Sequence, residues 1–236
     1  MRDEWMADTA QAIGKDREAQ IPQILTIAID GSAGSGKTST ARELALRHGF
    51  AFVSTGEHYR VLAHHLIGLG IGFDDGPAIV RAIATLRPST IFCGNQGHIT
   101  LDGTVLPDAD LRSSAVNHSV AHYAQVPKLR QFLHFYQKTL PGATWSANFR
   151  GLVVEGRDMT TAVFPKAQLR YFLMADAEER VRRRNAEGIC DDVAGRDAQD
   201  RERLAVGDGV RTIDGTGRTL DEVVAILSHD VEEWLR

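Results

Sequence analysis

The chain has 236 residues, 43% of them apolar, which is enough for one α/β domain with a well-buried core. A formal charge of -4 excludes the basic balance of a nucleic-acid binder, and no apolar run reaches the length that spans a bilayer. The two cysteines, Cys93 and Cys190, are far apart and form no metal-ligand pattern, so a reduced, cytoplasmic setting is expected.

Residues 1–22 are polar, carry both charge signs and hold no apolar signal region, and they read as a flexible extension. The folded part, 23–236, opens on an apolar, β-branched strand over Ile24–Ile29. The stretch Gly31–Thr38, GSAGSGKT, follows it and fits G-x-x-x-x-G-K-[S/T] at every fixed position. The next segment, to Gly49, has helical character. Strand, glycine loop and helix together make a phosphate cradle. Gly31, Gly34 and Gly36 let the backbone curl until its N–H groups point inward. Those donors and the positive end of the helix suit phosphate oxygens. Gly31, Ser32, Ala33, Gly34, Ser35, Gly36, Lys37, Thr38 and Ser39 are therefore the expected nucleotide-binding residues. Lys37 supplies a mobile charge near the β- and γ-phosphates, and the Thr38 hydroxyl is placed for Mg²⁺. This pattern alone does not separate a kinase from an ATPase or a GTPase.

Phe50–Val53 reads as a second strand, and Ser54-Thr55-Gly56 opens a helix to about Gly68. Asp74-Asp75 is expected to cap a helix through Leu86. Thr90–Cys93 and His98–Leu101 read as a hairpin around Gly94-Asn95-Gln96-Gly97. Ser113–Ala124 and Pro127–Leu140 read as two helices. This stretch interrupts the strand–helix alternation, and an inserted subdomain over about 73–135 is expected. Alternation resumes with strands at Gly151–Glu155 and Leu169–Met174 and a helix capped by Asp176, then a charged stretch to Arg203. A last strand spans Arg211–Asp214, and Thr219–Glu222 is a capping box for the final helix. The fold class expected is α/β, a phosphate-loop fold with a parallel, doubly wound sheet and its ligand at the carboxyl ends of the strands.

A kinase must also neutralise several phosphoryl charges beside an acceptor. Arg157 and Asp158 follow a strand directly and are placed at its carboxyl end. The run EERVRRR also reads as a solvated helix face, with Glu178 to Arg182 and Glu179 to Arg183 at i, i+4. His118 and His122 share a helix face, but the glutamate of a zinc-protease motif is absent between them. Asp214-Gly-Thr-Gly217 matches the D-x-x-G of a GTPase, yet it falls late in the chain and no N-K-x-D follows.

With these residues in place the chain resembles the bacterial cytidylate kinases, phosphate-loop nucleoside monophosphate kinases, from Ile24 nearly to the C terminus. The likeness rests on IAIDGSAGSGKT, TGEHYR, LR followed by VPKLR, VVEGRDMTTAVFP, MADAEERVRRR and RDAQDRER. It implies a kinase with ATP-Mg²⁺ as donor, CMP or dCMP as acceptor, bound by the inserted subdomain over about 73–135, and a mobile lid, here about 183–203, acting as a monomer. By resemblance, Lys37, Arg157, Arg183 and Arg184 serve the transfer. Arg60, Arg157 and Arg203 hold the acceptor phosphate; Thr55, Arg196 and Asp200 lie by the sugar; Arg130 and Asp158 read the cytosine edge. Tyr59 lies beside the acceptor, and Arg112 belongs to the same acceptor side. The chain departs from the family in having Ser54 for aspartate, His118 and Ala121 for asparagine and a base-contacting serine, Thr-Ser after Lys37, and a short lid over Asn185–Gly195. A kinase of the same build acting on a modified pyrimidine nucleotide or a small molecule is the alternative these departures leave open.

Overall fold

The computed structural model describes residues 24–186 and 206–236. Seven strands form one sheet in the order β3-β4-β2-β5-β1-β6-β7. They are β1 (Leu25–Gly31), β2 (Ala51–Ser54), β3 (Ser89–Cys93), β4 (Gln96–Thr100), β5 (Gly151–Gly156), β6 (Leu169–Met174) and β7 (Arg211–Asp214). All neighbours are parallel except β3 and β4, which form an antiparallel hairpin on the edge.

The central strands are apolar on both faces because helices cover both. Leu25, Ile27, Ile29, Phe52 and Val153 meet α1 (Lys37–His48) and the last helix, α9 (Leu220–Leu235). Ala28, Ala51, Val53, Leu152 and Val154 face the other way. They meet α2 (Thr55–Gly68), α3 (Gly76–Ala84), α5 (Ser114–Tyr123) and α6 (Pro127–Gln137). The two-residue alternation along each strand thus feeds two separate cores.

The hairpin differs from expectation. Its turn is two residues, Gly94-Asn95, with Cys93 opposite Gln96 and Gly94 at φ 61°. Gly97 is a strand residue, not a turn residue: a Cβ there would lie 2.8 Å from the Phe92 ring and 3.0 Å from Val53. β4 pairs with β2, so the first half of the 73–135 stretch extends the main sheet. Two short helices, α4 (Asp108–Leu111) and α7 (Leu140–Ser146), were not expected. The helix from Pro127 ends at Gln137, and Thr139 and Pro141 start α7.

The caps are as the residue types require. The Asp75 carboxylate accepts from Ala78 N at 3.0 Å and the Asp176 carboxylate from Glu179 N at 2.7 Å, at the start of α8 (Ala177–Ala186). Thr219 and Glu222 form the capping box of α9. Between β5 and β6 the chain makes one π-helical turn over Met159–Val163.

Gly31, the last residue of β1, sits against β6: an added Cβ would lie 2.3 Å from the Leu173 carbonyl oxygen. Gly31→Ala is expected to force the two strands apart and to cost about 1–3 kcal/mol, read as a lower denaturant midpoint. An unchanged midpoint would show that the strand ends are not closely packed.

Candidate active site

The loop between β1 and α1 has the shape its glycines allow, with Gly34 at φ 73° and Gly36 at φ 87°. It leads straight into Lys37, the first residue of α1, so the positive end of the helix closes the cradle. Lys37 Nζ donates to the Ser32 carbonyl at 3.3 Å, folded back over the loop. Ser39, on the first turn of α1, is exposed. The loop, with two left-handed glycines and a helix N terminus, fits the polyphosphate of a nucleoside triphosphate.

Helix α8 lies directly on this loop. A Cβ on Gly34 would stand 2.9 Å from the Arg180 carbonyl, so glycine is what permits the approach. Arg180 donates to the Ala33 carbonyl at 3.3 Å, and Arg183 to the Ser35 and Gly215 carbonyls at 3.3 and 2.7 Å. Arg183 also pairs with Glu179 at 2.7 Å, as helical spacing anticipates, while Arg182 pairs with Glu179 rather than Glu178. Arg184 Cγ would be 3.2 Å from a Cβ on Gly34. The helix face therefore does two jobs: surface pairing on one side, and cations against the loop on the other.

The end of β5 forms the opposite wall. β5 lies between β1 and β2, with Glu155 beside Ile29 and Ser54. Glu155 is almost fully buried and its Oε1 accepts from Thr38 Oγ1 at 3.2 Å and from the Ser54 hydroxyl. A hydroxyl and a carboxylate are hard oxygen ligands, and this pair fits Mg²⁺ in a phosphate site. Thr55, also buried, spends its hydroxyl on the Glu155 carbonyl at 2.9 Å. Arg157 donates to the Gly31 carbonyl, which ties it to the base of the phosphate loop.

The next residue, Asp158, turns toward α6. Its Oδ2 accepts from Arg130 Nη2 at 2.8 Å and from His134 Nε2 at 3.0 Å. Burial pushes the Asp158 carboxyl up, but the His134 and Arg130 hydrogen bonds and charges outweigh burial and hold it below its ordinary 3.8. Tyr59 interacts with the same Arg130 guanidinium. Arg60 donates to the Leu111 carbonyl at 2.8 Å and to Asn117 Oδ1 at 2.7 Å. Arg112 itself is exposed and paired with Asp108 at 2.7 Å, and its carbonyl accepts from Asn117. His118 is exposed on α5, bonded to the Ser114 carbonyl, and His122 stacks on Phe73, so each ring has a partner of its own. Arg196, Asp200 and Arg203, and the lid beyond residue 186, lie outside the described residues, while its start, with Arg183 and Arg184, is the end of α8.

Three residues at the site carry no sequence expectation. Glu155 is the first, and its signal was a lone charge ending the apolar run GLVVE. Asp30 is the second, equally a lone charge ending ILTIAI. Asp30 is buried and accepts from Met159 N at 2.9 Å, Thr160 N at 2.7 Å and Thr160 Oγ1 at 2.7 Å. Burial raises its carboxyl despite these donors. His134 is the third, and nothing in its local spacing pointed to a partner 24 positions away.

The two buried carboxylates respond to acid in opposite senses. Asp158, depressed in the fold, contributes stability that is present above its unfolded value and lost as pH falls through the folded value. Asp30, raised, contributes in the reverse sense, below its unfolded value. Asp158→Asn should therefore flatten the fall in thermal midpoint as pH drops from about 5 through and below the ordinary carboxylate value of 3.8. A slope as steep as that of the wild type would place the acid sensitivity elsewhere.

Comparison with known proteins bears on this geometry. A sequence profile of the cytidylate kinase family matches residues 27–233. A cytidylate kinase of an Exiguobacterium species is 32% identical over 224 residues, covering 89% of this chain and 97% of the relative. Cytidylate kinases of Nocardia farcinica and Symbiobacterium thermophilum are 34% and 35% identical, covering 89% and 87% of this chain and 95% of each relative.

Proposed function

The chain belongs to the cytidylate kinase family, and on that premise we propose that it transfers the γ-phosphoryl group of ATP to CMP or dCMP, giving CDP or dCDP. The observation that carries this reading is the reach of one strand end, Glu155–Asp158. It touches the phosphate loop through Thr38 and Gly31, and the helix expected to face the acceptor through Arg130.

In this reading the donor phosphates rest on the loop amides of Gly31–Thr38, with Lys37 swinging from the Ser32 carbonyl onto the β- and γ-phosphates. Thr38, with Glu155 behind it, would hold Mg²⁺, which would supply positive charge against the donor phosphates. Arg157 and Arg60 grip the acceptor phosphate, with Arg203 completing the set. Asn117, braced by the Arg112 carbonyl, holds Arg60 in place. Thr55, Arg196 and Asp200 are assigned to the sugar, Tyr59 to the acceptor face, and Arg130 with Asp158 to the base. Arg183 and Arg184 bring positive charge over the loop, where it opposes the charge that spreads in the transition state. An acceptor phosphate is ionised at neutral pH and attacks γ-phosphorus directly, so no general base is needed. The chain is proposed to work as a cytoplasmic monomer, supported by a donor loop and an acceptor wall built from one polypeptide. Among the described residues no helix is long and apolar enough to cross a membrane.

A coupled assay of ADP release across nucleoside monophosphates tests the reading: CMP and dCMP should be the best acceptors, and a purine monophosphate or UMP as the best substrate would overturn it. In the same assay Lys37→Met should lose on the order of 10²–10³ in turnover or more, with an unchanged circular dichroism spectrum. Near-native turnover of that variant would mean the loop is not the donor site.

A further inference from the structure

Arg130 and His134 stand one helical turn apart on α6 and deliver their donors to the same atom, Asp158 Oδ2, at 2.8 and 3.0 Å. The carboxylate is nearly buried, with 7% of its side chain exposed, and His134 is itself 19% exposed. Arginine reaches Oδ2 through Nη2, and a single contact of that kind leaves the carboxylate plane free to turn. A second donor on the same oxygen removes that freedom and leaves Oδ1 engaged by neither. For Nε2 to donate, the imidazole must carry a proton there.

The consequence is chemical. An ionised carboxylate only accepts hydrogen bonds, whereas a protonated one also donates. A carboxyl that took a proton easily would meet an amino group or a carbonyl oxygen equally well. One held ionised by two donors welcomes an amino group and repels a carbonyl. We propose that His134 is a positioning residue for acceptor selection: it fixes Asp158 as a hydrogen-bond acceptor, so that the site takes a pyrimidine with an exocyclic amino group and rejects one with a carbonyl at that position. The proposal rests on Asp158 facing the base, as assigned above. The depressed Asp158 carboxyl, in which the His134 hydrogen bond is the first influence to oppose burial, is in keeping with it.

The test is the ratio of kcat/KM for CMP to that for UMP in the intact enzyme and four variants. His134→Leu should lower the ratio by about tenfold or more, mainly through a raised KM for CMP. His134→Asn, polar but too short to reach Oδ2, should behave alike and stands in if the leucine variant does not fold. His134→Gln, whose amide reaches the place of Nε2, should keep the ratio within about threefold of wild type. A purely structural role would lower kcat/KM for both acceptors equally and would not be rescued by glutamine, and either result overturns the proposal. Asp158→Asn separates the two levels of the account. If it collapses the ratio while the leucine and asparagine variants keep it, His134 has no part in selection. If Asp158→Asn itself leaves the ratio unchanged, the base-reading assignment fails, and this inference with it.

Discussion

A carboxylate as deeply buried as Asp30 must be met by donors, and it is met by three, all from Met159 and Thr160. Asp30 is the last residue but one of the strand that feeds the phosphate loop, and its partners begin the turn that follows β5. The two segments are almost 130 residues apart in sequence, and this one charge locks them in register. Removing it would leave three donors without an acceptor in a dry interior, at about 1–3 kcal/mol for each. The residues caught between Asp30's partners and β5 are Arg157 and Asp158, so the position of both follows from the position of Asp30.

The rest of the site is arranged around that clamp. Arg157 turns back to the loop at Gly31, Asp158 turns outward to α6, and Glu155 on the strand itself takes the hydroxyls of Thr38 and Ser54. A four-residue span therefore senses the loop, the first turn of α2 and the α6 face together. Helix α8 closes the loop from the other side, and it can come so near because Gly34 has no side chain. Buried carboxylates on the sheet side and arginines on the helix side divide the charge: the arginines lie against the loop and the carboxylates hold the strand ends together.

Much of this was legible in the sequence, for physical reasons. The phosphate loop and the Arg157-Asp158 pair are local features whose chemistry depends on a few adjacent residues at a strand end. The strands showed because both faces are covered and both therefore had to be apolar. What stayed hidden was of four kinds. Gly97 looked like a turn glycine, yet it is a strand residue kept small by Phe92 and Val53 on neighbouring strands. Helices α4 and α7 are only 4 and 7 residues long, too short for a periodic pattern to stand out. Asp30, Glu155 and His134 act through partners brought by the fold, and a lone charge at the end of an apolar run marks burial without saying what it is buried against. Arg112 reads as one more arginine of the acceptor side, but its guanidinium turns to Asp108 and its backbone carbonyl faces the site's bracing asparagine.

In the proposed reaction the clamp at Asp30 holds donor and acceptor phosphates side by side, so that the phosphoryl group would pass between them in one step. Its most direct test is the stereochemical course at phosphorus, followed with ATP made chiral at the γ-position by oxygen isotopes and with CMP as acceptor. A single in-line displacement predicts inversion of configuration in the CDP formed. Retention would mean two displacements through a phosphorylated enzyme group, and would contradict the account.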